Sequence, residues 1–311
     1  VLARRRGQPL DGRAPPRQEP WLARLIENRL ALGVAMVAPA VGLLAVFLAY
    51  PFALGAWLGL TDSTIARPGR FIGAQNFLYL AGDPVFRLVV FNTLLYASVA
   101  VIFKLVLGFL LALLVNREFI GKRFVRAAML LPYIVPTSLS ALVFYWLYDS
   151  TFSIFTWILR RVGLASAFIN YLGDPNLARA SLIAANVWRG IPFFAIGLLA
   201  GLQTVSPTLY EAADIDGAGP WKKFWAITWP LLLPLTAVVT VFSTIMTVGD
   251  FQLVWIITHG GPANATHLFG TLAYQRAIQG GFVGEGAAVS GFIMPVLLAC
   301  VVVSFLYLRR D

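Results

Sequence analysis

The sequence predicts an all-α membrane protein, a bundle of six helical spans. Three observations carry that expectation. The 311-residue chain is 59% hydrophobic and only 12% charged, with a mean hydropathy of +0.78, whereas ordinary soluble domains are about 25% charged. Its apolar residues gather into six long runs, each longer than the roughly 20 residues needed to cross a hydrocarbon core. None of these runs alternates apolar and polar residues as the strands of an outer-membrane barrel do.

Residues 1–29 form a basic tail with Arg4-Arg5-Arg6 and Pro15-Pro16; its composition cannot bury a core, so it reads as disordered. The first span, about 30–60, is far longer than the roughly 7–15 residues of a signal-peptide core and lacks a small-residue cleavage site, so it reads as a retained helix. A bend is expected near Tyr50-Pro51. Further spans follow at about 88–115 with Lys104 inside, 127–148 with Pro132 and Pro136 near its start, and 181–203 with Arg189 inside. The last two are about 231–258, containing Asp250, and 287–308. Residues 30–311 thus read as one transmembrane domain, with 204–230 as a polar segment between the fourth and fifth spans.

A single Cys300 inside an apolar run excludes a disulfide framework, and His259 and His267 are too few for a zinc constellation. No metal ligands are assigned. A net charge of +10 would suit nucleic acid, but the basic residues are dispersed in short loops beside apolar spans, the pattern of an inside-positive membrane protein. No nucleic-acid partner is expected. With the N-terminus in the cytoplasm, 15 of the 24 Lys and Arg residues lie inside, seven outside and two within spans. Both termini and segment 204–230 are therefore read as cytoplasmic, and Asn76, Arg160 and His267 as outward facing. No phosphate-cradling G-x-x-x-x-G-K-[ST] loop is present, and the sparse acids and histidines assemble no catalytic set. The chain reads as a non-enzyme without a cofactor of its own.

The polar segment has local structure. Ser206-Pro207 reads as an N-cap followed by proline at the first helical position. Leu209, Ala212 and Ala213 then give a short helix with one small apolar face, which Asp216-Gly217 stops because glycine tolerates the left-handed conformation. Gly219-Pro220 restarts the chain, with Trp221, Phe224, Trp225 and Thr228 on one face of a second short helix. Physics alone leaves this as either a plain hairpin between spans or a seat for a partner. Its spelling is more specific. Glu211-Ala212-Ala213, three residues, Gly217, nine residues and Ile227-x-x-Pro230 resemble the EAA loop of ABC importer permeases, with Trp229 where the family has Leu. Asp216-Gly217-Ala218 is the form common in carbohydrate-type permeases.

Phe71-Ile-Gly-Ala-Gln-Asn-Phe77, Phe91-Asn92-Thr93, Leu131-Pro132, Trp188-Arg-Gly-Ile-Pro-Phe193 and Thr258-His-Gly-Gly-Pro262 are similar, in order, to elements of that family. The last is like that of the first permease in such pairs, and segment 152–155 departs from the family pattern. From about residue 30 onward the chain resembles the permease subunit of a carbohydrate importer of the maltose, trehalose and glycerol-phosphate type. The resemblance implies a multi-pass protein of a bacterial or archaeal inner or plasma membrane, with the six-span bundle of a type I importer. It also implies a second permease forming a heterodimer, two ATPase subunits that bind ATP and Mg, and an extracytoplasmic solute-binding protein. Glu211, Ala212, Ala213, Asp216, Gly217 and Ala218 then become the element seated in the ATPase.

Charges inside a bilayer are expensive and mark function by default. Lys104 reads as structural, snorkelling or pairing within the bundle. Arg189 and Asp250 each lie about 12 Å from the outer end of their span at ~1.5 Å per residue. They either pair to hold two spans together or line the pathway. In the second case Asp250 and Gln252 hydrogen-bond sugar hydroxyls, and Phe251 and Trp255 stack on a pyranose ring. Permeases for polyamines, phosphate or sulfate are rival readings. A membrane scaffold is another, as is a secondary transporter, for which no inverted repeat or paired broken helix speaks.

Overall fold

The computed structural model describes residues 29–308, with side chains to residue 302; the basic tail including Arg4, and the terminal Arg309 and Arg310, lie outside the described residues. The chain divides into two compact units at Leu54–Gly55. The first contributes most of the N-terminal helix, and the packing below is that of the second.

The helices in chain order are α1 (Arg29–Gly59), α2 (Gln75–Gly82), α3 (Pro84–Asn116), α4 (Lys122–Ala128), α5 (Leu131–Ile134), α6 (Thr137–Leu147) and α7 (Ile154–Arg161). They continue as α8 (Pro175–Thr204), α9 (Pro207–Ile215), α10 (Pro220–Val248), α11 (Gln252–Thr258), α12 (Phe269–Tyr274), α13 (Val283–Gly291) and α14 (Ile293–Leu308). Five are long and apolar enough to cross a membrane, taking α13 and α14 as one, and a sixth span arises if the bent pair Lys122–Ile134 and Thr137–Leu147 counts as one.

Local chemistry explains where these helices begin, bend and break. The Asp83 carboxylate caps α3 by accepting from the Val85 amide at 2.8 Å, and Asp174 caps α8 by accepting from Asn176 and Leu177 at 2.9 Å. Each is followed by a proline at the first helical position, whose missing N–H costs nothing there. These Asp-Pro pairs start the second and fourth spans at 84 and 175, earlier than the apolar runs alone indicate. The bend expected near Pro51 is a π turn at Ala45–Ala49, with the Tyr50 amide donating to the Ala45 carbonyl. Widening the turn just upstream of a proline removes its clash without ending the helix. The same device precedes Pro230, where Phe224–Thr228 is a π turn and Trp229 donates to the Phe224 carbonyl.

The third span, placed at 127–148 with two prolines near its start, is bent: Val135 is extended before Pro136, a residue pair that disfavours helix, and the two halves meet at 92°. Two expectations are corrected. The second short helix of the polar segment does not end; it runs unbroken into the fifth span, so α10 starts at Pro220. The fifth span then stops at Val248, because Gly249–Phe251 interrupts it before α11 resumes.

The bundle is centred on the crossing of α3 and α8. Val101, Phe109, Ala112 and Val115 pack with Phe194, Leu198 and Leu202, and α10 adds Leu232 and Val239. Helices in lipid gain no hydrophobic driving force from each other and rely on close van der Waals approach, which small residues permit. A side-chain carbon at Gly108 would strike Phe194 and come within 3.2 Å of the Ile191 carbonyl, and one at Gly201 would strike Leu232 and Leu235. A second core joins Tyr96, Phe144, Tyr148, Leu182, Leu253 and Ile257, and a third joins Leu80, Phe86, Phe269 and Leu272. Arg276 pairs with Asp83 at 2.5 Å and with Glu285 at 3.2 Å, tying the start of α3 to α13.

The loop after α11 is held by side chains of α3 and α8. Asn92 donates to the carbonyls of Asn264 and His267, and Arg179 Nε donates to Asn92 Oδ1 and to the Ala265 carbonyl. His267, in that loop, is buried and shares a 3.1 Å hydrogen bond with Thr271; burial pushes its imidazole down to about 4, so it is neutral. Asn76, from the Phe71–Phe77 motif, donates to the carbonyls of Gly59 and Thr61 and closes the turn after α1.

The Gly108 contact is testable. Gly108→Val lowers the thermal unfolding midpoint of the purified protein by an amount equivalent to ~1–3 kcal/mol. Gly82→Ala, which faces open space, leaves the midpoint unchanged. Equal midpoints for all three proteins would show that α3 and α8 do not meet backbone to backbone here.

Candidate functional site

The interruption of the fifth span opens onto a cavity of about 600 Å³. Three charged side chains line it, Lys104 from α3, Arg189 from α8 and Asp250 from the break itself. Thr137, Asn186, Ser243, Thr247 and Gln252 add hydrogen-bonding groups, and Tyr133, Phe193, Phe242 and Phe251 add aromatic faces.

Asp250 organises the break. Its Oδ1 accepts from the Leu253 amide at 3.3 Å, standing in for a carbonyl that the interrupted helix lacks. Its Oδ2 accepts from Tyr96 Oη and from Asn186 Nδ2, each at 2.8 Å. Arg189 does not pair with it: Arg189 Nη2 donates to Thr137 Oγ1 at 2.7 Å, and its buried Nε has no partner among the described residues. The ion pair offered as one reading of these charges is therefore absent: Arg189 reaches Thr137 instead, and the carboxylate is held by Tyr96, Asn186 and the Leu253 amide. Lys104 is buried, and its Nζ donates to Thr247 Oγ1 at 2.7 Å, while that hydroxyl donates to the Ser243 carbonyl at 2.6 Å. Its stem runs across Gly190, where any side-chain carbon would collide with it. Lys104 is thus part of the cavity wall as well as of the packing.

Of the residues the sequence singles out for this region, Arg189, Asp250, Phe251 and Gln252 come together at the cavity. Trp255 does not; it stacks on Phe251 at 5.7 Å and meets Tyr274 edge-on at 4.8 Å. Tyr96, Asn186, Tyr133 and Thr137 were missed, being uncharged residues in apolar helices. Asn186 carries a usable signal: it sits three residues before Arg189 and shares its helix face.

The polar segment forms a separate feature. Helix α9 ends with the Gly217 amide donating to the Asp214 carbonyl at 3.0 Å and the Ala218 amide to the Ala213 carbonyl at 2.8 Å. This is a Schellman closure, and it requires the left-handed φ of +69° that Gly217 adopts. Ser206 makes no side-chain cap, its hydroxyl instead meeting Thr208 at 2.8 Å. Glu211, Ala212, Asp216 and Gly217 are exposed, and Ala213 and Ala218 are half-buried. Ile215 is 88% and Trp221 74% exposed, so apolar side chains flank the exposed turn. The turn is braced against α10: Lys223 pairs with Asp214, and Tyr210 and Thr228 share a 2.9 Å hydrogen bond. Trp229, the departure from the family spelling, packs its ring against Phe109 at 5.9 Å.

Comparison with known proteins places this arrangement. Over 97% of its length the chain is 33% identical to the sulfoquinovosyl glycerol transport system permease protein SmoG of Agrobacterium fabrum, covering 96% of that protein. It is also 33% identical to the trehalose/maltose transport system permease protein MalF of Thermococcus litoralis, over 93% of this chain and 98% of that one. In fold it is similar to a chain of the bacterial alginate ABC transporter crystallised in complex with its alginate pentasaccharide-bound periplasmic protein. The TM-score is 0.80 at 23% identity, covering 93% of this chain and 96% of that one. A match to the family described as binding-protein-dependent transport system inner membrane component runs over residues 104–310. It starts at the cavity lysine and takes in both the broken helix and the exposed turn. The chain therefore belongs to that family of inner-membrane transport components, as a permease subunit and not a catalytic one.

Proposed function

We propose that this permease carries sugars through the cavity at the broken fifth span, powered by a separate ATPase that docks on the Glu211–Ala218 turn. The observation that carries the reading is the interrupted helix itself. Irregular backbone at membrane depth is tolerated only where protein or a water-filled cavity satisfies it, and discontinuous helices are where transporters place their cargo. The cavity offers donors and acceptors in Asn186, Gln252 and Asp250 for hydroxyl groups, and flat rings in Tyr133 and Phe251 for the apolar face of a pyranose. Its two cations disfavour a polyamine.

The partners proposed are a second permease completing the pathway, two ATPase subunits holding ATP and Mg, and an extracytoplasmic solute-binding protein. The named relatives and the alginate importer's complex with its periplasmic protein support that set. Both termini and the exposed turn face the cytoplasm, an orientation supported by the excess of Lys and Arg on that side. Glu211 supplies a charged acceptor for a cationic group of the ATPase, the small Ala212 and Ala213 permit close approach, and Ile215 and Trp221 supply exposed apolar area. The bracing by Lys223 and Thr228 passes movement of the turn into α10, which ends at Val248, two residues before Asp250.

Two outcomes test the reading in the reconstituted complex. Asp250→Asn leaves assembly intact and lowers sugar uptake about tenfold, the effect of weakening one charged acceptor by about 1.4 kcal/mol; wild-type uptake would remove Asp250 from the pathway. Glu211→Ala and Gly217→Val insert and pair with the second permease but lose cargo-stimulated ATP hydrolysis. Valine at φ +69° is strained by about 1–2 kcal/mol. If both variants transport and stimulate ATPase activity normally, the turn is not the coupling element.

A further inference from the structure

We infer that the cavity is built for a glycan bearing an anionic group, a carboxylate, sulfonate or phosphate ester, and not for a neutral sugar. The inference rests on the proposed sugar pathway and adds the charge of its cargo. Three charged side chains line the cavity, and two of them are cations. Its one acid is already engaged: the Asp250 carboxylate accepts from Tyr96, Asn186 and the Leu253 amide, and it pairs with neither cation. The cations are engaged less fully. Lys104 Nζ donates to one hydroxyl, and Arg189 donates through Nη2 to another while its buried Nε lacks a partner. Among the described residues neither stands within ion-pair distance of a carboxylate.

Lys104 is buried and Arg189 half-buried, and cations with no carboxylate at ion-pair distance in a low-dielectric bundle gain from an anion that joins them. The geometry keeps these two in place. Gly190 leaves room for the Lys104 stem beside Arg189, and Thr137 and Thr247 hold the two heads in the cavity wall. A guanidinium presents paired donors to a carboxylate or phosphate, and a lysine adds a point charge. Asn186, Gln252 and the rings of Tyr133 and Phe251 remain for the hydroxyls and the apolar face of the sugar. Kinship leaves the cargo's charge open, since permeases named for trehalose/maltose and for sulfoquinovosyl glycerol stand at the same 33% identity.

The test uses the full complex with its solute-binding protein in proteoliposomes, reading ATP hydrolysis and uptake with matched probes. The panel is a set of methyl glycosides, each neutral or carrying a 6-carboxylate, 6-sulfonate or 6-phosphate, together with inorganic sulfate, inorganic phosphate and spermidine. At least one anionic glycoside stimulates ATP hydrolysis tenfold or more above its neutral counterpart. Arg189→Gln and Lys104→Met each remove most of that preference, and Arg189→Lys restores part of it, in complexes that still copurify with all subunits. Neutral glycosides stimulating as strongly as anionic ones would overturn the charge inference and leave the sugar pathway standing. Stimulation by sulfate or phosphate but by no glycoside would overturn the sugar reading and this inference with it, and so would stimulation by spermidine. An anionic preference that survives in both Arg189→Gln and Lys104→Met would also overturn the assignment of these two cations.

Discussion

A helix that stops inside a bilayer leaves backbone groups without partners, and hydrocarbon supplies none. The fifth span stops in this way at Val248 and resumes at Gln252, and the side chain of Asp250 compensates. One carboxylate oxygen caps the resumed helix through the Leu253 amide, and the other gathers Tyr96 from α3 and Asn186 from α8. The break is therefore stitched to the two helices whose close crossing forms the centre of the bundle. Much else follows from it. The cavity lies beside the break, with Arg189 donating to Thr137 on its wall, and Phe251 and Gln252 are brought to the cavity wall.

The same helix links the two candidate features. α10 runs from Pro220, beside the exposed turn, to Val248, beside Asp250. A π turn carries the helix past Pro230, so it runs without a break between the turn and the cavity. The Asp214–Lys223 pair and the Tyr210–Thr228 hydrogen bond tie the turn to α10. One continuous helix thus connects the place where a partner would push with the place where a cargo would sit.

The fold class was legible because it rests on composition and run length, which a bilayer enforces strictly. The exposed turn was legible too: the left-handed position of Gly217 follows from its place after a helix, and the local spelling is specific. The breaks were harder to read. Apolar runs continue through Val135-Pro136 and through Gly249–Phe251, so hydropathy reads each as uninterrupted, and only the backbone shows where the chain turns. The Asp-Pro starts of α3 and α8 were available as caps but sit outside the apolar runs. At the cavity the charges could be found by their rarity in a span, whereas their true partners Tyr96, Asn186, Thr137 and Thr247 are neutral and common in helices. The Arg189–Asp250 pair was the natural guess from charge and depth. In the structure Arg189 meets Thr137 while Tyr96, Asn186 and the Leu253 amide hold the carboxylate, an arrangement of packing that sequence spacing does not encode.

The central claim is that the cavity at the broken fifth span is the aqueous route of the cargo. Single cysteines at Thr137 and Gln252, two cavity-lining positions, test it most directly in a Cys300→Ala chain within the assembled complex. The account predicts that both react with a small membrane-impermeant thiol reagent, that bound cargo slows the reaction, and that ATP binding moves access from one side of the membrane to the other. Both cysteines remaining unreactive from either side, with or without ATP and cargo, would contradict it.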